Sequence, residues 1–305
     1  MQSDTKLKGV FAAGLTPLRP DLSIDQPALV AHCRWLIERG CHGVALFGTT
    51  GEGTSFSAAE RKTALEATIA AGIPAAVLVP GTGCSSLPDT VELTSHAVKQ
   101  GCPGVLTLPP FYWKNVGDDG LFRYFSELVE RVGDARLRLY LYHIPQLSAV
   151  GFSLKLIERL LKAYPAAIAG IKDSSAKWDN TKAILENFPG FGTFTGWDPH
   201  LRDLLRLGGA GTISGMPNVN PTGLRQLYES WSKPEGDALH EMATKLITLV
   251  DATPPTAGLR AVLAHFTGKD SWLTRRPPLM PIAREQHDAL IAAVAATGFT
   301  LPPPV

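Results

Sequence analysis

The sequence predicts an α/β protein whose parallel strands close into a (β/α)8 TIM barrel, followed by a C-terminal helical extension. Short apolar runs, rich in small and β-branched residues, alternate with helix-like segments through roughly the first 230 residues. Eight such strand–helix units can be read along the chain, and eight is the number that closes this barrel. From about residue 235 the pattern becomes purely helical.

The predicted strands are short, apolar and evenly spaced. They lie at residues 10–15, 43–48, 75–80, 104–109, 138–144, 167–172, 192–196 and 211–215. Several of the helices between them begin at Ser or Asp and end at Gly, as helix caps require. Strands that alternate with helices through short loops indicate a parallel sheet. A doubly wound open sheet is the alternative, but the sequence lacks its G-x-G-x-x-G fingerprint.

Two domains follow from this pattern. Residues 1–232 are predicted to form the barrel with the active site, and residues 233–305 a C-terminal helical domain. An addition of roughly 70 residues is within the size range of a small domain or barrel extension. In a barrel of this kind the active site lies at the carboxyl ends of the strands, so polar residues at those ends are the candidates for chemistry.

Composition excludes several classes of partner. The formal net charge of the 305 residues is +1, which provides no electrostatic surface for nucleic acid or anionic membrane. No apolar run approaches the roughly 18 residues of a membrane span. The four cysteines show neither C-x-x-C nor metal-ligand spacing, and ordinary thiols are typical of a reducing cytoplasm. The sequence therefore predicts a cytoplasmic protein with a small-molecule substrate and no metal.

Lys172 follows a run of small apolar residues, "AAIAGI", that reads as the end of a buried strand. A lysine that simply reaches solvent beyond the strand is one interpretation. At a barrel mouth, however, burial disfavours the charged ammonium and leaves a free amine that can attack a carbonyl. The resulting protonated imine acts as an electron sink, which suits bond breaking beside a keto group.

Tyr142 ends the neighbouring predicted strand, and strands lie about 4.8 Å apart, so its phenol can converge with Lys172 on one substrate. A phenol at such a place can transfer protons, although a core tyrosine with its hydroxyl at the rim is the alternative. Across the barrel, "GTTGEGTS" at residues 48–55 carries three glycines and two neighbouring threonines. Such a loop can bind a carboxylate or phosphate through backbone amides and hydroxyls, or be a tight turn without a ligand.

Further strand ends carry weaker signals. The aromatic loop "PPFYWKN" at 109–115 is interpreted either as an interface or pocket wall or as a local cluster. The small residues at 211–221 permit close approach of the backbone to a ligand. His143 alternates with Tyr142 and is expected on the opposite face of the strand, as a structural histidine. Asp173 and Asp198 are expected to be turn or cap residues.

These features in this order resemble the dihydrodipicolinate synthase / N-acetylneuraminate lyase family of class I pyruvate-dependent aldolases. The motifs "GTTGEG", "YHIP" and "GIKDSS" carry the resemblance, which extends from "TPL" at 16–18 to "RRPPLMPI" near the end of the chain. It implies a Schiff base between Lys172 and the keto carbon of pyruvate or another 2-keto acid. Tyr142 would move protons, and Thr49 and Thr50 would bind the carboxylate, with Thr49 also hydrogen-bonded to Tyr142.

The resemblance also implies a homotetramer built as a dimer of dimers, with no metal or organic cofactor. Tyr112 matches the tyrosine that family members insert across the tight dimer interface into the neighbouring site. Ile213 matches a residue that lines the pyruvate pocket. Three more residues at the strand ends complete the expected substrate-binding set: Gly48, Ser174 and Gly196.

Departures from the family pattern bear on the substrate. Leu147 stands where the true synthases carry an arginine for the carboxylate of the semialdehyde, and the sialic-acid lyases also have leucine there. Pro199 stands where those lyases have a second acidic residue, and His143 replaces an asparagine common to both groups. The leading prediction is therefore an aldolase, lyase or dehydratase acting on another 2-keto acid. The alternatives are an authentic 4-hydroxy-tetrahydrodipicolinate synthase, a non-catalytic keto-acid-binding protein, and a phosphate-handling barrel isomerase.

Overall fold

A computed structural model describes residues 6–301 and shows one parallel sheet curled into a nearly closed barrel. Its seven strands are β1 (Gly9–Ala13), β2 (Gly43–Ala45), β3 (Val105–Thr107), β4 (Leu139–His143), β5 (Ile168–Asp173), β6 (Gly192–Thr195) and β7 (Gly211–Ser214). The strands are hydrogen-bonded in the order β2-β1-β7-β6-β5-β4-β3. The predicted α/β barrel with C-terminal helices is confirmed.

The gap between β2 and β3 is filled by the chain that follows Pro74, where a full strand at 75–80 was predicted. Ala75–Val77 forms a 3-10 turn instead, and only isolated parallel bridges, Val44 to Leu78 and Gly81 to Leu106, close the ring. Proline explains the difference, because Pro80 has no amide proton to donate and can only accept, from the amide of Leu106 at 3.0 Å. The predicted strand is thus wrong as regular structure, although its position in the ring is right.

Helices follow the strands on the outside of the barrel. They are α1 (Gln26–Glu38), α2 (Ala58–Ala70), α3 (Leu87–Lys99), α4 (Asp118–Val132), α5 (Pro145–Ser148), α6 (Leu154–Ala163), α7 (Trp178–Asn187), α8 (Leu201–Arg206) and α9 (Pro221–Ser230). Local sequence explains where several begin: Ser57 and Glu60 form a capping box at α2, and the Ser153 hydroxyl accepts the Leu156 amide at α6.

Beyond α9 the chain is helical, as predicted. It forms α10 (Glu235–Asp251), α11 (Ala257–Thr267) and α12 (Arg284–Ala296). Helix α10 packs against α9 of the barrel and also contacts α12, so α10 joins the C-terminal helices to the barrel. The boundary between residues 232 and 233 falls between α9 and α10, and the division into two domains stays a prediction.

Two buried clusters hold the barrel together. The larger one lies between the strands and the surrounding helices, and the smaller one fills the interior of the ring. Phe11, Tyr140, Phe194 and Ile213 belong to this interior cluster, which also includes Tyr142 near the carboxyl end of β4. A filled interior leaves the carboxyl-end mouth as the place where a substrate can reach the strand ends.

Candidate active site

Lys172 and Tyr142 lie side by side at the carboxyl ends of β5 and β4. They are direct register partners, and the Lys172 Nζ lies 4.2 Å from the centroid of the Tyr142 ring. Each residue is only 3% exposed. An amine and a phenol are therefore held together in a buried corner of the barrel, as the positions of the two residues at neighbouring strand ends predict.

Thr49 brings the loop after β2 to the same point. The Tyr142 hydroxyl donates to the Thr49 Oγ1 at 3.1 Å, although the two residues are 93 positions apart. The loop is a tight turn in which the Glu52 and Gly53 amides donate to the carbonyls of Thr49 and Gly48 at 3.0 Å each. The turn presents Thr49 and Thr50 at the mouth, where both line a cavity beside Lys172.

The glycine-rich loop is anchored from its other side by Glu52, a buried carboxylate at 3% exposure. Its Oε1 accepts from the Nε–H of Arg260 at 3.1 Å and from the Nε–H of Arg275 at 3.0 Å. The hydroxyl of Thr256 donates to the same oxygen at 2.8 Å. All three donors come from the region of α11 and the chain after it, so the C-terminal helices hold the loop in place.

Asp198 supplies a second buried carboxylate close to the amine. It follows β6, is fully buried, and its Oδ1 accepts from the hydroxyls of Thr212 and Ser214 at 2.8 Å each. Burial raises the pKa of Asp198 to about 6, and the two hydroxyl donors and the positive charge of Lys172 act against this rise. The sequence predicted only a turn or cap role for Asp198 and not this placement near Lys172.

Asp173, by contrast, is structural in the way that the sequence indicates. Its carboxylate accepts from the Ser175 amide at 2.9 Å, from the Asn180 side chain at 2.8 Å and from the Thr181 hydroxyl at 2.7 Å. These bonds tie the turn after β5 to the start of α7. His143 accepts the Phe152 amide at its Nδ1 at 3.0 Å and lies away from the mouth.

A cavity of about 350 Å³ opens over Lys172. Its wall combines strand ends, the Gly-rich loop and the C-terminal helices: Thr49, Thr50, Tyr142, Ile144, Gln146, Leu147, Lys172, Ser174, Ala176, Gly196, Trp197, Ser214, Gly215, Met216, Ile247, Val250, Asp251, Thr253, Pro254, Pro255, Thr256 and Leu259. A second cavity of about 330 Å³ shares Thr49, Tyr142 and Leu147 with it and extends toward Phe111 and Arg275.

Among the other predicted residues, Ser174 and Gly196 line the cavity over Lys172, whereas Gly48 lines the second cavity. Gly196 must lack a side chain, because an added Cβ would stand 1.8 Å from the Ser174 hydroxyl oxygen and 3.0 Å from the Lys172 Cε. Ile213 is fully buried in the barrel interior and does not line either cavity. Its role in substrate binding stays a prediction.

Tyr112 stands apart from this group within the single chain. It is 69% exposed, and its ring lies edge-on against Trp113, with the ring centroids 5.2 Å apart. Neither residue lines the cavity over Lys172. An interface role for Tyr112 stays a prediction.

The wall that α10 contributes was not predicted from the sequence. Ile247, Val250 and Asp251 of this helix face the cavity. The amphipathic pattern of "EGDALHEMATKLITLVDA" indicates one buried face but not what that face covers.

Within residues 6–301, no group of three or more His, Cys, Asp or Glu side chains is placed to hold a metal ion. None of the helices in this range combines the length and the hydropathy that a membrane-spanning helix requires.

Fold and site together define a parallel α/β barrel with a buried lysine–tyrosine pair and a threonine loop at its carboxyl-end mouth. The chain belongs to the dihydrodipicolinate synthetase family, whose sequence profile matches residues 6–297. This confirms the family resemblance drawn from the motifs.

Relatives and solved structures agree with this assignment. A DapA-like lyase of uncharacterised activity from Chloroflexus aurantiacus is 34% identical over 293 residues, which is 94% of this chain and 95% of the relative. The 4-hydroxy-tetrahydrodipicolinate synthase of Rhizobium meliloti is 30% identical over 303 residues, covering 96% and 99% of the two chains. The crystal structure of dihydrodipicolinate synthase from Agrobacterium tumefaciens superposes with a TM-score of 0.88 at 34% identity, covering 94% and 98%.

Proposed function

We propose that this protein is a class I lyase that forms a Schiff base between Lys172 and pyruvate or another 2-keto acid. The observation that carries the proposal is the buried amine lying 4.2 Å from the Tyr142 ring, with the Tyr142 hydroxyl bonded to Thr49. Family membership supports it, since relatives are named as lyases and synthases. In this proposal Thr49 and Thr50 bind the carboxylate through hydroxyls and backbone amides.

The reaction would begin when the uncharged Lys172 amine adds to the keto carbon. The carbinolamine hydroxyl takes up a proton from the Tyr142 phenol and leaves as water, so that a protonated imine remains; the proton returns to Tyr142 when the imine is hydrolysed. In a 4-hydroxy-2-keto acid the bond between C3 and C4 then breaks, its electron pair forming an enamine while the aldehyde leaves. The hydroxyl proton passes through the Tyr142 phenol and is returned to the enamine carbon. Water finally hydrolyses the imine and releases pyruvate and the free amine.

Borohydride trapping tests this proposal directly. Pyruvate and borohydride together should add one reduced pyruvate unit to the chain, located by peptide mass at Lys172. Lys172→Ala should abolish the adduct. Lys177→Ala is the matched control, because Lys177 is an exposed lysine five positions further along the same turn and should leave the adduct unchanged. Binding of pyruvate without any adduct would favour a keto-acid-binding protein instead.

An authentic 4-hydroxy-tetrahydrodipicolinate synthase is the second candidate, and one observation favours it. The Rhizobium meliloti relative carries that name at 30% identity over nearly both full chains. The site itself favours it less, since Leu147 lies at the mouth where a basic residue would be needed for the semialdehyde carboxylate. Turnover of pyruvate with aspartate semialdehyde, coupled to reduction of the cyclic product, separates the two candidates.

The same proposal includes a homotetramer built from tight dimers and a cytoplasmic location. Tyr112 and Trp113 are exposed at 69% and 68%, which suits aromatic side chains that a neighbouring subunit covers. The four cysteines are free thiols, as a reducing compartment would keep them. Sedimentation of the wild type and of Tyr112→Ala tests the assembly, and loss of activity without loss of the tetramer would place Tyr112 in the neighbouring site.

A further inference from the structure

The cavity over Lys172 holds very few charges. Lys172 is the only cationic residue among those that line it, and Asp251, at the exposed rim, is the only anionic one. If Lys172 becomes an imine with the keto acid, its positive nitrogen lies at the reacting carbon. No second cation then remains in the lining to pair with another acidic group of the substrate.

The neighbouring cavity does not provide that cation. Arg275 lines it, but each of its three guanidinium nitrogens already donates to protein oxygens: to Glu52 at 3.0 Å, to the Met280 carbonyl at 2.7 Å, and to Pro255 and Thr256. Lys114 lies outside both linings, with its ammonium bonded to backbone carbonyls of the surrounding loops. Within residues 6–301, the two linings therefore offer no uncommitted positive charge besides Lys172.

What the wall offers instead is apolar surface with a few neutral polar groups. Leu147 and Trp197 line the cavity together with Ile247 and Val250 of α10. Gln146, Ser174 and Thr253 provide neutral hydrogen-bonding groups between them. A carboxylate or phosphate transferred from water to such a wall would lose hydration without gaining a partner.

We infer that the part of the substrate beyond the keto-acid group is uncharged and partly apolar, with no second carboxylate or phosphate. This inference rests on the proposed function and narrows it to neutral 2-keto acids and neutral aldehydes. Leu147 is the position at which the inference can be tested, because it is 52% exposed and lines both cavities, so that a longer side chain there can extend into the cavities without entering the core.

A matched pair of keto acids tests the inference without requiring turnover. 2-Oxopentanoate and 2-oxoglutarate have the same number of carbons, but one ends in a methyl group and the other in a carboxylate. Borohydride trapping at Lys172 should reach half-completion at a concentration at least about tenfold lower for 2-oxopentanoate, since an unpaired charge in the cavity is disfavoured. Leu147→Arg should shift this ratio toward 2-oxoglutarate by about tenfold or more, whereas Leu147→Met should leave it unchanged.

The outcomes separate the inference from the function on which it rests. Equal trapping of the two longer acids, or preference for 2-oxoglutarate, would overturn the inference while pyruvate trapping upholds the function. Trapping of pyruvate but of neither longer acid would also overturn it, because the cavity would then reject a neutral extension. Failure of pyruvate itself would refute the proposed function, and the inference with it.

Discussion

Replacement of Glu52 by glutamine tests whether the C-terminal helices hold the glycine-rich loop of residues 48–55, for which we propose carboxylate binding. Glutamine has nearly the same shape and keeps an oxygen for the three donors, so the change is mainly one of charge. In the wild type, Glu52 is the only carboxylate in residues 6–301 that forms an ion pair with Arg260 or Arg275. The side chains of all three residues are at most 2% exposed.

The magnitude follows from what the substitution leaves behind. Two guanidinium groups lose their shared counter-charge in a buried site, and removing one partner of a buried ion pair costs about 3–5 kcal/mol. The hydrogen bonds from Arg260 and Arg275 also become bonds to a neutral acceptor, which are weaker by about 1 kcal/mol each and are part of that cost. We therefore expect Glu52→Gln to lower the free energy of unfolding by about 3–5 kcal/mol.

Urea unfolding followed by circular dichroism measures this loss, and Glu60→Gln is the matched control. Glu60 also pairs with an arginine, Arg276, but its side chain is 37% exposed, so solvent screens the pair. That change should cost about 1 kcal/mol or less, because glutamine can also serve in the capping box at Ser57. Equal losses for the two variants would refute the claim that burial makes the Glu52 cluster important.

Steady-state kinetics of Glu52→Gln distinguish a residue that positions the loop from one that only stabilises the fold. If Glu52 positions the loop that carries Thr49 and Thr50, its loss should raise KM for the keto acid more than it lowers kcat. Glu52→Asp, which keeps the charge on a shorter side chain, should recover part of the affinity. An unchanged KM in folded Glu52→Gln would show that the loop holds its position without the cluster.

Three further predictions concern the site and the core. Tyr142→Phe should lower kcat by about 10²-fold or more, as expected when acid–base transfer is lost, while borohydride trapping shows whether the imine still forms. Gly196→Ala should lower the measured turnover of the keto acid, because the added methyl group would collide with the Ser174 hydroxyl and crowd the Lys172 side chain. For buried His32, desolvation lowers the pKa to about 4, so the unfolded chain binds a proton below about pH 6.5 and the folded protein does not. Stability should therefore fall as the pH drops from about 6.5 to about 4, by about 3 kcal/mol in full, and His32→Gln should flatten that part of the measured profile.

The sequence predicts the central pair of the site because local rules suffice for it. Lys172 and Tyr142 are register partners on neighbouring strands and therefore lie at the same height in the barrel. Parallel strands also end at the same edge of the barrel. Thr49 could be added because a Gly-rich turn follows the predicted strand on the opposite side of the ring. Strand positions and strand order bring these residues to one rim of the barrel, whereas the roles of Tyr142 and Thr49 and the hydrogen bond between them were implied by the family resemblance.

Other parts of the site depend on contacts that no local pattern records. Glu52 forms ion pairs with Arg260 and Arg275, which are 208 and 223 positions away in the sequence. No local sequence pattern around any of the three residues predicts these pairs. Asp198 begins a 3-10 turn and so has the sequence signature of a cap, which conceals its hydroxyl partners on β7. The third strand was over-predicted because apolar content suggests a strand, whereas Pro74 and Pro80 interrupt its hydrogen bonding.

These contacts assign different parts of the site to the barrel strands and to the C-terminal helices. The barrel strands carry the groups proposed for imine chemistry, whereas α10 and the residues around α11 supply much of the cavity wall and hold the threonine loop. Because Leu147 of α5 and Val250 of α10 line the cavity but do not belong to the strands that present Lys172 and Tyr142, substrate preference can change while the reacting groups stay in place. Substitutions at these two positions should accordingly alter which keto acid is trapped more than they alter the rate of imine formation with pyruvate. A larger effect on that rate than on the preference among keto acids would show that Leu147 and Val250 also position Lys172 and Tyr142.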